Sequence, residues 1–164
     1  SVGLSEPWRI VGVNSPQARQ KSLKNYKAAN ADALAGYDSD RATLYASLKL
    51  SGMIDAASQL AIFCEEDTPK GSGLGAQTMP EMRRYSVVSA IMSFWLVTRA
   101  YGLGLGWVSI LDPVQLRTDL DLPDNWSLVA YLCVGWPKEE TETPELETVG
   151  WEIRDAQLTT LIER

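Results

Sequence analysis

The sequence predicts an α/β or α+β protein, with helices layered around one β-sheet. Short, bounded apolar runs typical of buried strands alternate with longer segments whose apolar residues recur at helical spacing. The chain has 164 residues, and 45% of them are hydrophobic. This length is enough for one domain with a buried core, and its stability requires neither disulfides nor a structural metal.

Turn signals and apolar runs place the elements along the chain. Ser15-Pro16 is a good N-cap and first-turn pair for the first helix. The predicted elements are a strand at 7–13, a helix from Pro16 to about Leu34, a helix at 41–50, a strand at 58–64, a loop at 65–77, a helix from 78 to 101, a short helix after Asp112-Pro113, and a central strand at 126–136. The tail from residue 150 is predicted to be ordered.

The helix at 78–101 is the most apolar of the chain. Thr78 and Glu81 have the spacing of a capping box, with Pro80 in the first turn. Apolar residues on nearly every side predict a helix that is buried all round. Gly102 stands where a C-cap glycine is expected.

Composition excludes several classes of function. The absence of histidine excludes His-based triads, Cys-His nucleophile pairs and the common zinc sites, and no metal site is predicted. Cys64 and Cys133 end apolar runs and are expected to be inert core thiols. A net charge of −6 argues against nucleic-acid binding, and without a membrane-length apolar run or a secretory signal we expect a cytoplasmic protein. Chemistry without imidazole favours a bound organic cofactor.

The glycines of YGLGLGWVSILDP, residues 101–113, follow a helix and lead into an extended run. Phosphate-binding loops have the opposite order, because the phosphate must meet a helix N-terminus. Gly104 and Gly106 instead leave the backbone unshielded at alternate positions, where something flat approaches closely. The second glycine-rich stretch, residues 70–76, lacks the dinucleotide-binding spacing and is interpreted as a loop.

Six motifs in order resemble the BluB-type 5,6-dimethylbenzimidazole synthases of the flavin-dependent nitroreductase-like superfamily. They are SVGLSEPWRI at 1–10, YASLKLSGM at 45–53, MPEMRRYS at 79–86, GLGLGWVSILDP at 102–113, VAYLCVGWP at 129–137 and PELETVGWEIR at 144–154. The resemblance covers nearly the whole chain.

This resemblance implies one α+β domain over 1–164, with a nitroreductase-like FMN-binding fold and a central, mostly antiparallel sheet flanked by helices. It also implies a homodimer with FMN at the subunit interface. Reduced FMN is then the substrate and O2 the co-substrate, and the flavin is broken into 5,6-dimethylbenzimidazole, the lower-ligand base of cobalamin, and a sugar-phosphate fragment. A separate flavin reductase is a further candidate partner.

Site residues are carried over from the motifs. Ser1, Val2 and Gly3 match the turn that runs beside the flavin, and Glu6 lies next to it. The segment whose backbone and serine hydroxyl face the reactive side of the ring is matched by Gly106, Trp107, Val108 and Ser109. Ser109, the candidate catalytic residue, is placed to hydrogen-bond a flavin nitrogen. The alternative is a serine satisfied by neighbouring backbone.

Two cations and a tyrosine complete the candidate site. Arg154 matches a terminal arginine that pairs with the flavin phosphate, and guanidinium geometry suits that contact. The alternative is a routine surface arginine in an acidic tail. Tyr45 and Lys49 fall in the helix that resembles the lid over the flavin, and helix packing and solvation are the alternatives for them.

The chain departs from the family pattern at its start. Family members carry a helix and an arginine-rich motif before the position of Ser1, with an aspartate implicated in flavin cleavage. Without these groups we expect weaker phosphate binding and an unstable or aggregating chain. Ala57 and Ala76 replace a usual proline and arginine. A general nitroreductase or dehalogenase-like enzyme and a non-catalytic flavin-binding dimerisation module remain alternative functions.

Overall fold

The structure is a computed structural model that describes residues 1–48, 50–155 and 161–164. After a 3₁₀ turn at Val2–Leu4, the elements are β1 (Trp8–Gly12), α1 (Pro16–Ala35), α2 (Ser39–Ser47), α3 (Gly52–Asp55), β2 (Ser58–Glu65), α4 (Met82–Ala100), β3 (Gly104–Val108), α5 (Pro113–Asp119), β4 (Trp126–Gly135) and α6 (Glu145–Thr148).

Four strands form one sheet in the order β1-β2-β4-β3, and all three pairings are antiparallel. The register shifts between Ile62 and Phe63, and Gly106 of β3 lies opposite Cys133 of β4. The predicted α+β fold with an antiparallel sheet flanked by helices is confirmed. β4 is a central strand, as predicted, whereas β1 and β3 are the two edges.

Two apolar cores lie on the two faces of the sheet, because successive strand side chains point to opposite sides. Phe63 packs into the core with α1, α3 and α5, while its neighbours Ile62 and Cys64 pack into the core with α4. The first core includes Val13, Met53, Leu116 and Tyr131, and the second includes Val87, Ile91, Leu105 and Leu132. The sheet is therefore the middle layer of three.

The caps of α1 and α5 form as predicted. Ser15 Oγ accepts a hydrogen bond from the Ala18 amide at 3.1 Å, with Pro16 in the first turn. Asp112 Oδ1 accepts from the amides of Val114 and Gln115, both at 2.9 Å. Each cap satisfies amides that a helix leaves without intrahelical partners.

The predicted capping box of α4 is wrong. The Thr78 hydroxyl donates to the Gly75 carbonyl at 3.3 Å instead, and α4 begins at Met82 without a side-chain cap. The turns of the preceding glycine loop run through Thr78, so that Glu81 occupies the N-cap position and Thr78 lies three residues too early to cap the helix. At the other end, Gly102 has φ +73° and the Leu103 amide donates to Thr98 O, which confirms the C-cap glycine in a Schellman arrangement.

The prediction that α4 is buried on all sides is also wrong for this chain. Val87 and Ile91 are buried against the sheet, but a row of apolar side chains on the opposite face is exposed. The row consists of Tyr85, Val88, Met92 and Leu96. A row at this spacing lies along one side of a helix, and α4 has no neighbour there among the described residues.

The remaining predictions have mixed outcomes. Cys64 and Cys133 are buried free thiols, as expected. α2 ends at Ser47, earlier than predicted, because Leu48 has an extended backbone. The tail folds into α6 and an irregular stretch to Asp155, while residues 156–160 lie outside the described residues. No described helix is long and apolar enough to cross a membrane.

Candidate functional site

The turn before β1 has an unusual backbone. Gly3, Leu4 and Glu6 have φ values of +53°, +57° and +45°, a region that L residues other than glycine rarely adopt. Two of the three carry side chains, and each such residue costs roughly 1–3 kcal/mol. A turn with this much strain persists only where its surroundings hold it.

The loop at 70–76 supplies much of that support. A Cβ on Gly71 would lie 2.5 Å from the Gly3 carbonyl oxygen, and one on Gly75 would lie 2.9 Å from the Val2 side chain. The Val2 amide also donates to Ser86 Oγ of α4 at 2.9 Å. The glycines of this loop therefore allow close packing against the N-terminal turn. The sequence analysis missed this role, although the repeated glycines were its signal.

Ser1 and Glu6 close the same turn. The Glu6 amide donates to Ser1 Oγ at 3.0 Å, and the Glu6 carboxylate forms an ion pair with Lys70. Because the Ser1 hydroxyl is the acceptor in this bond, it can still donate its own proton to another group. Ser1, Val2, Gly3 and Glu6 are thus brought together as one rigid unit.

β3 forms the floor of a groove. Gly104 and Gly106 face the same side of the sheet as Cys133, and the nearest atoms to a Cβ on Gly106 would be 4.0 Å away. The groove has a volume of ≈ 940 Å³ and runs between α3 and the segment after β4. Asp55 and Lys138 form an ion pair at 2.9 Å across it. The interpretation as unshielded backbone holds for Gly106 but is wrong for Gly104, because a Cβ there would lie 3.5 Å from Gly135 O and 3.7 Å from Pro137 Cβ.

Trp107 and Val108 turn their side chains into the two cores. Trp107 packs on the α4 side, and Val108 is buried on the other side of the sheet. A ligand at this strand would therefore meet their backbone and not their side chains. The motif implied a backbone contact with the flavin for both residues, and that role stays a prediction.

Ser109 follows β3 directly and is exposed. Its carbonyl accepts a hydrogen bond from the Leu111 amide at 3.0 Å, but its hydroxyl makes no hydrogen bond to any residue in the described part of the chain. The alternative of a serine satisfied by neighbouring backbone does not hold here. The hydroxyl is available to a ligand.

The two parts of the candidate site flank opposite edges of the sheet. The N-terminal turn precedes β1 and Ser109 follows β3, and these strands are separated by three strand spacings of about 4.8 Å each. No hydrogen bond joins Ser109 to Ser1, Val2 or Gly3. The resemblance implied one flavin site at a subunit interface, and within one chain its two parts lie apart.

The remaining candidates are Lys49, Arg154 and Tyr45, and the structure places them differently. Lys49 lies outside the described residues. Arg154 is exposed, three residues after Trp151, in the irregular stretch that follows α6. Tyr45 is buried and donates its hydroxyl to Asn30 Oδ1 at 2.9 Å, so its packing role is shown.

The thiol of Cys133, on the floor of the groove, is not poised for nucleophilic chemistry. Burial raises the pKa of the Cys133 side chain to about 11, so it remains a neutral thiol at pH 7 and not a nucleophilic thiolate. The described residues contain no cluster of His, Cys, Asp or Glu side chains that would hold a metal ion. The site offers hydrogen-bond donors and open backbone. These suit the binding of an organic cofactor that carries the reactive group itself.

Comparisons with known proteins identify the family. The Nitroreductase family model matches residues 1–136. The 5,6-dimethylbenzimidazole synthase of Rhodospirillum rubrum is 52% identical over 154 residues, which are 94% of this chain and 73% of that protein. A 5,6-dimethylbenzimidazole synthase of Rhodobacter capsulatus is 43% identical over 152 residues, 93% of this chain and 73% of that protein.

Solved structures show the same fold. Oxidised iodotyrosine deiodinase bound to FMN and 3-iodo-L-tyrosine matches with a TM-score of 0.71 and 16% identity, over 98% of this chain and 80% of that one. A nitroreductase-like protein from Streptococcus mutans matches with a TM-score of 0.64 and 19% identity, over 98% and 79%. The chain therefore belongs to the nitroreductase family, as a homologue of its 5,6-dimethylbenzimidazole synthases.

Proposed function

We propose that this protein binds reduced FMN and, with O2, converts it to 5,6-dimethylbenzimidazole. The observation that carries the proposal is the exposed Ser109 hydroxyl, free of partners in the described part of the chain, at the end of a glycine-floored strand in a 52% identical homologue of these synthases. Reduced flavin, when bound, supplies both the electrons for O2 and the ring carbons of the product.

The residues of the chain fit a flat ring. Gly106 leaves open space above its backbone, so a ring system can approach the strand without meeting a side chain. The Ser109 hydroxyl would donate to a ring nitrogen, an electrostatic role that depends on position more than on pKa. The turn from Ser1 to Gly3 would present backbone to the same ligand. Arg154 would pair with the flavin phosphate, and Lys49, by its place in the motif, would belong to the lid over the flavin.

The site would be completed in a homodimer. Ser1–Gly3 and Ser109 flank opposite edges of one sheet, so a single flavin would touch the turn of one copy and the serine of another. The exposed apolar row on α4 gives a second copy a contact surface, since a monomer rarely leaves such a continuous stripe in water. Met92→Glu would disrupt this contact and shift the protein to monomer in analytical ultracentrifugation.

The experiment is a product assay. FMN is photoreduced without oxygen, mixed with the protein and then exposed to air, and the mixture is analysed by liquid chromatography and mass spectrometry. We expect 5,6-dimethylbenzimidazole in the sample with protein and only reoxidised FMN in the sample without it. Quantitative recovery of intact FMN, with turnover of an added nitro compound, would instead support a general nitroreductase and contradict the proposal.

A further inference from the structure

An aromatic cluster joins the C-terminal tail to α2. It consists of Tyr37, Tyr45 and Trp151, whose ring centroids are 5.0 Å (Tyr37–Tyr45), 5.7 Å (Tyr37–Trp151) and 6.2 Å (Tyr45–Trp151) apart. The ring of Trp151 meets that of Tyr37 edge-on, at 86°. Both spacing and angle are favourable for aromatic pairs. No residue of this cluster belongs to the site described above except Tyr45, which is buried.

Arg41 of α2 makes two contacts with Trp151. Its guanidinium carbon lies 4.8 Å from the centroid of the Trp151 ring, within the range of a cation–π interaction. Its Nη1 also donates to the Trp151 carbonyl at 2.8 Å. Arg41 stands in the first turn of α2, where its amide donates to the N-cap residue Asp38 at 3.2 Å. The tail is therefore held by both the ring and the backbone of one residue.

The backbone just before Trp151 is also held by a hydrogen bond. Gly150 has φ +77°, and the Trp151 amide donates to Leu146 O at 2.8 Å, which ends α6 in a Schellman arrangement. Trp151 thus has its amide fixed to α6 and its carbonyl fixed to α2. The exposed Arg154 follows three residues later. Its reach is limited by the point at which Trp151 is anchored.

We infer that Trp151 and Arg41 are positioning residues, which hold the tail so that Arg154 meets the phosphate of the bound flavin. This inference rests on the proposed function. A long, flexible arginine gives up side-chain entropy when it binds, and a tail that is fixed in advance leaves less to be ordered. Loss of the anchor would then reduce affinity for the phosphate without altering contacts to the ring.

The test compares FMN with riboflavin, which has the same ring but no phosphate. Dissociation constants for both flavins are measured by flavin fluorescence in the wild type, Trp151→Ala, Arg41→Ala, Arg154→Ala and the double variant Trp151→Ala/Arg154→Ala. Trp151→Phe tests rescue by another ring. Ile153→Ala is the matched control, because Ile153 is exposed, lies in the same segment and joins none of the ring contacts.

We expect Trp151→Ala and Arg154→Ala each to weaken FMN binding about tenfold, the size of one charge-assisted hydrogen bond, and to change riboflavin binding less than about twofold. The double variant should be no weaker than Arg154→Ala, and Ile153→Ala should resemble the wild type. Equal loss for both flavins, additive effects, or an Arg154→Ala variant with wild-type affinity would each overturn the inference. In each of these cases the wild type still binds flavin, so only the inference fails. A wild type that binds neither flavin would overturn the proposed function as well.

Discussion

The two ends of the candidate site are built in opposite ways. The turn before β1 combines three left-handed residues with a glycine loop, an ion pair and a hydrogen bond from the Val2 amide, so packing fixes its shape. The end of β3 has an exposed serine and a glycine with open space above it. Packing therefore fixes the shape of the turn before β1, whereas the end of β3 leaves a hydroxyl and backbone open, as the proposed flavin site requires.

The largest effect is expected where the packing of the glycine loop on the turn before β1 is disturbed. Gly71→Ala would place a Cβ 2.5 Å from the Gly3 carbonyl oxygen at a residue with φ +83°. We expect a loss of roughly 2–4 kcal/mol in the free energy of unfolding, from the clash and the left-handed backbone together. Urea denaturation measures it.

Gly150→Ala is the matched control for this variant. Gly150 has a similar φ of +77°, but a Cβ there would meet nothing within 4 Å. Its cost should be only that of the backbone, about 1–2 kcal/mol. Equal losses in the two variants would show that the contact between the loop and the turn contributes nothing.

The next effect is on turnover and concerns Ser109, at the end of β3. Ser109→Ala should lower the yield of 5,6-dimethylbenzimidazole about 100-fold, a typical result of removing one preorganised donor. Its stability should match the wild type, because the hydroxyl makes no hydrogen bond within the described part of the chain. Product chromatography and a thermal melt measure the two quantities. A destabilised variant, or one with full activity, would contradict a ligand-facing role.

A smaller effect is expected from filling the floor of the groove. Gly106→Ala adds a methyl group whose nearest neighbours would be 4.0 Å away, so the free energy of unfolding should change by no more than about 0.5 kcal/mol. Flavin affinity should fall about tenfold, since the methyl group occupies the surface on which the ring would lie. Unchanged affinity in a flavin titration would place the ring elsewhere.

The last effect is confined to high pH and distinguishes buried thiols from reactive ones. Burial raises the pKa values of Cys64 and Cys133 from 9.0 to about 11 in the folded chain. An unfolded chain therefore loses these protons first, so the two thiols favour folding below pH 9 and lose that contribution as the pH rises from 9 to about 11. Denaturation midpoints across this range measure the decline. Rapid labelling of Cys133 by a thiol reagent in the folded protein at pH 8 would contradict its burial.

Local features of the fold were accessible from the sequence, and long-range ones were not. Ser15-Pro16 and Asp112-Pro113 identify helix starts because a cap is formed within three residues. Thr78 had the same local signature, but the turns of the glycine loop extend past it and the helix begins only at Met82. The exposed row on α4 and the partnership of Gly71 with Gly3 depend on which elements meet in space, and hydrophobic periodicity does not contain that information.

The candidate site shows the same division. The resemblance of the motifs predicted Ser109 and the turn from Ser1 to Gly3 as site residues. In the structure the Ser109 side chain is exposed and Gly3 has φ +53°, while the roles themselves stay predictions. Their placement at opposite edges follows from the strand order β1-β2-β4-β3. No local pattern specifies that order, because the chain crosses the sheet between β2 and β3 before β4 returns to pair with both.

The most direct test of the account is a titration of the protein with FMN, followed by flavin fluorescence and by the visible absorbance band together. The account predicts saturable binding near one flavin per chain, with quenched fluorescence and a shifted band, because the turn of one copy and the open strand end of another together form one site. A folded protein that shows no saturable change in either signal would contradict it.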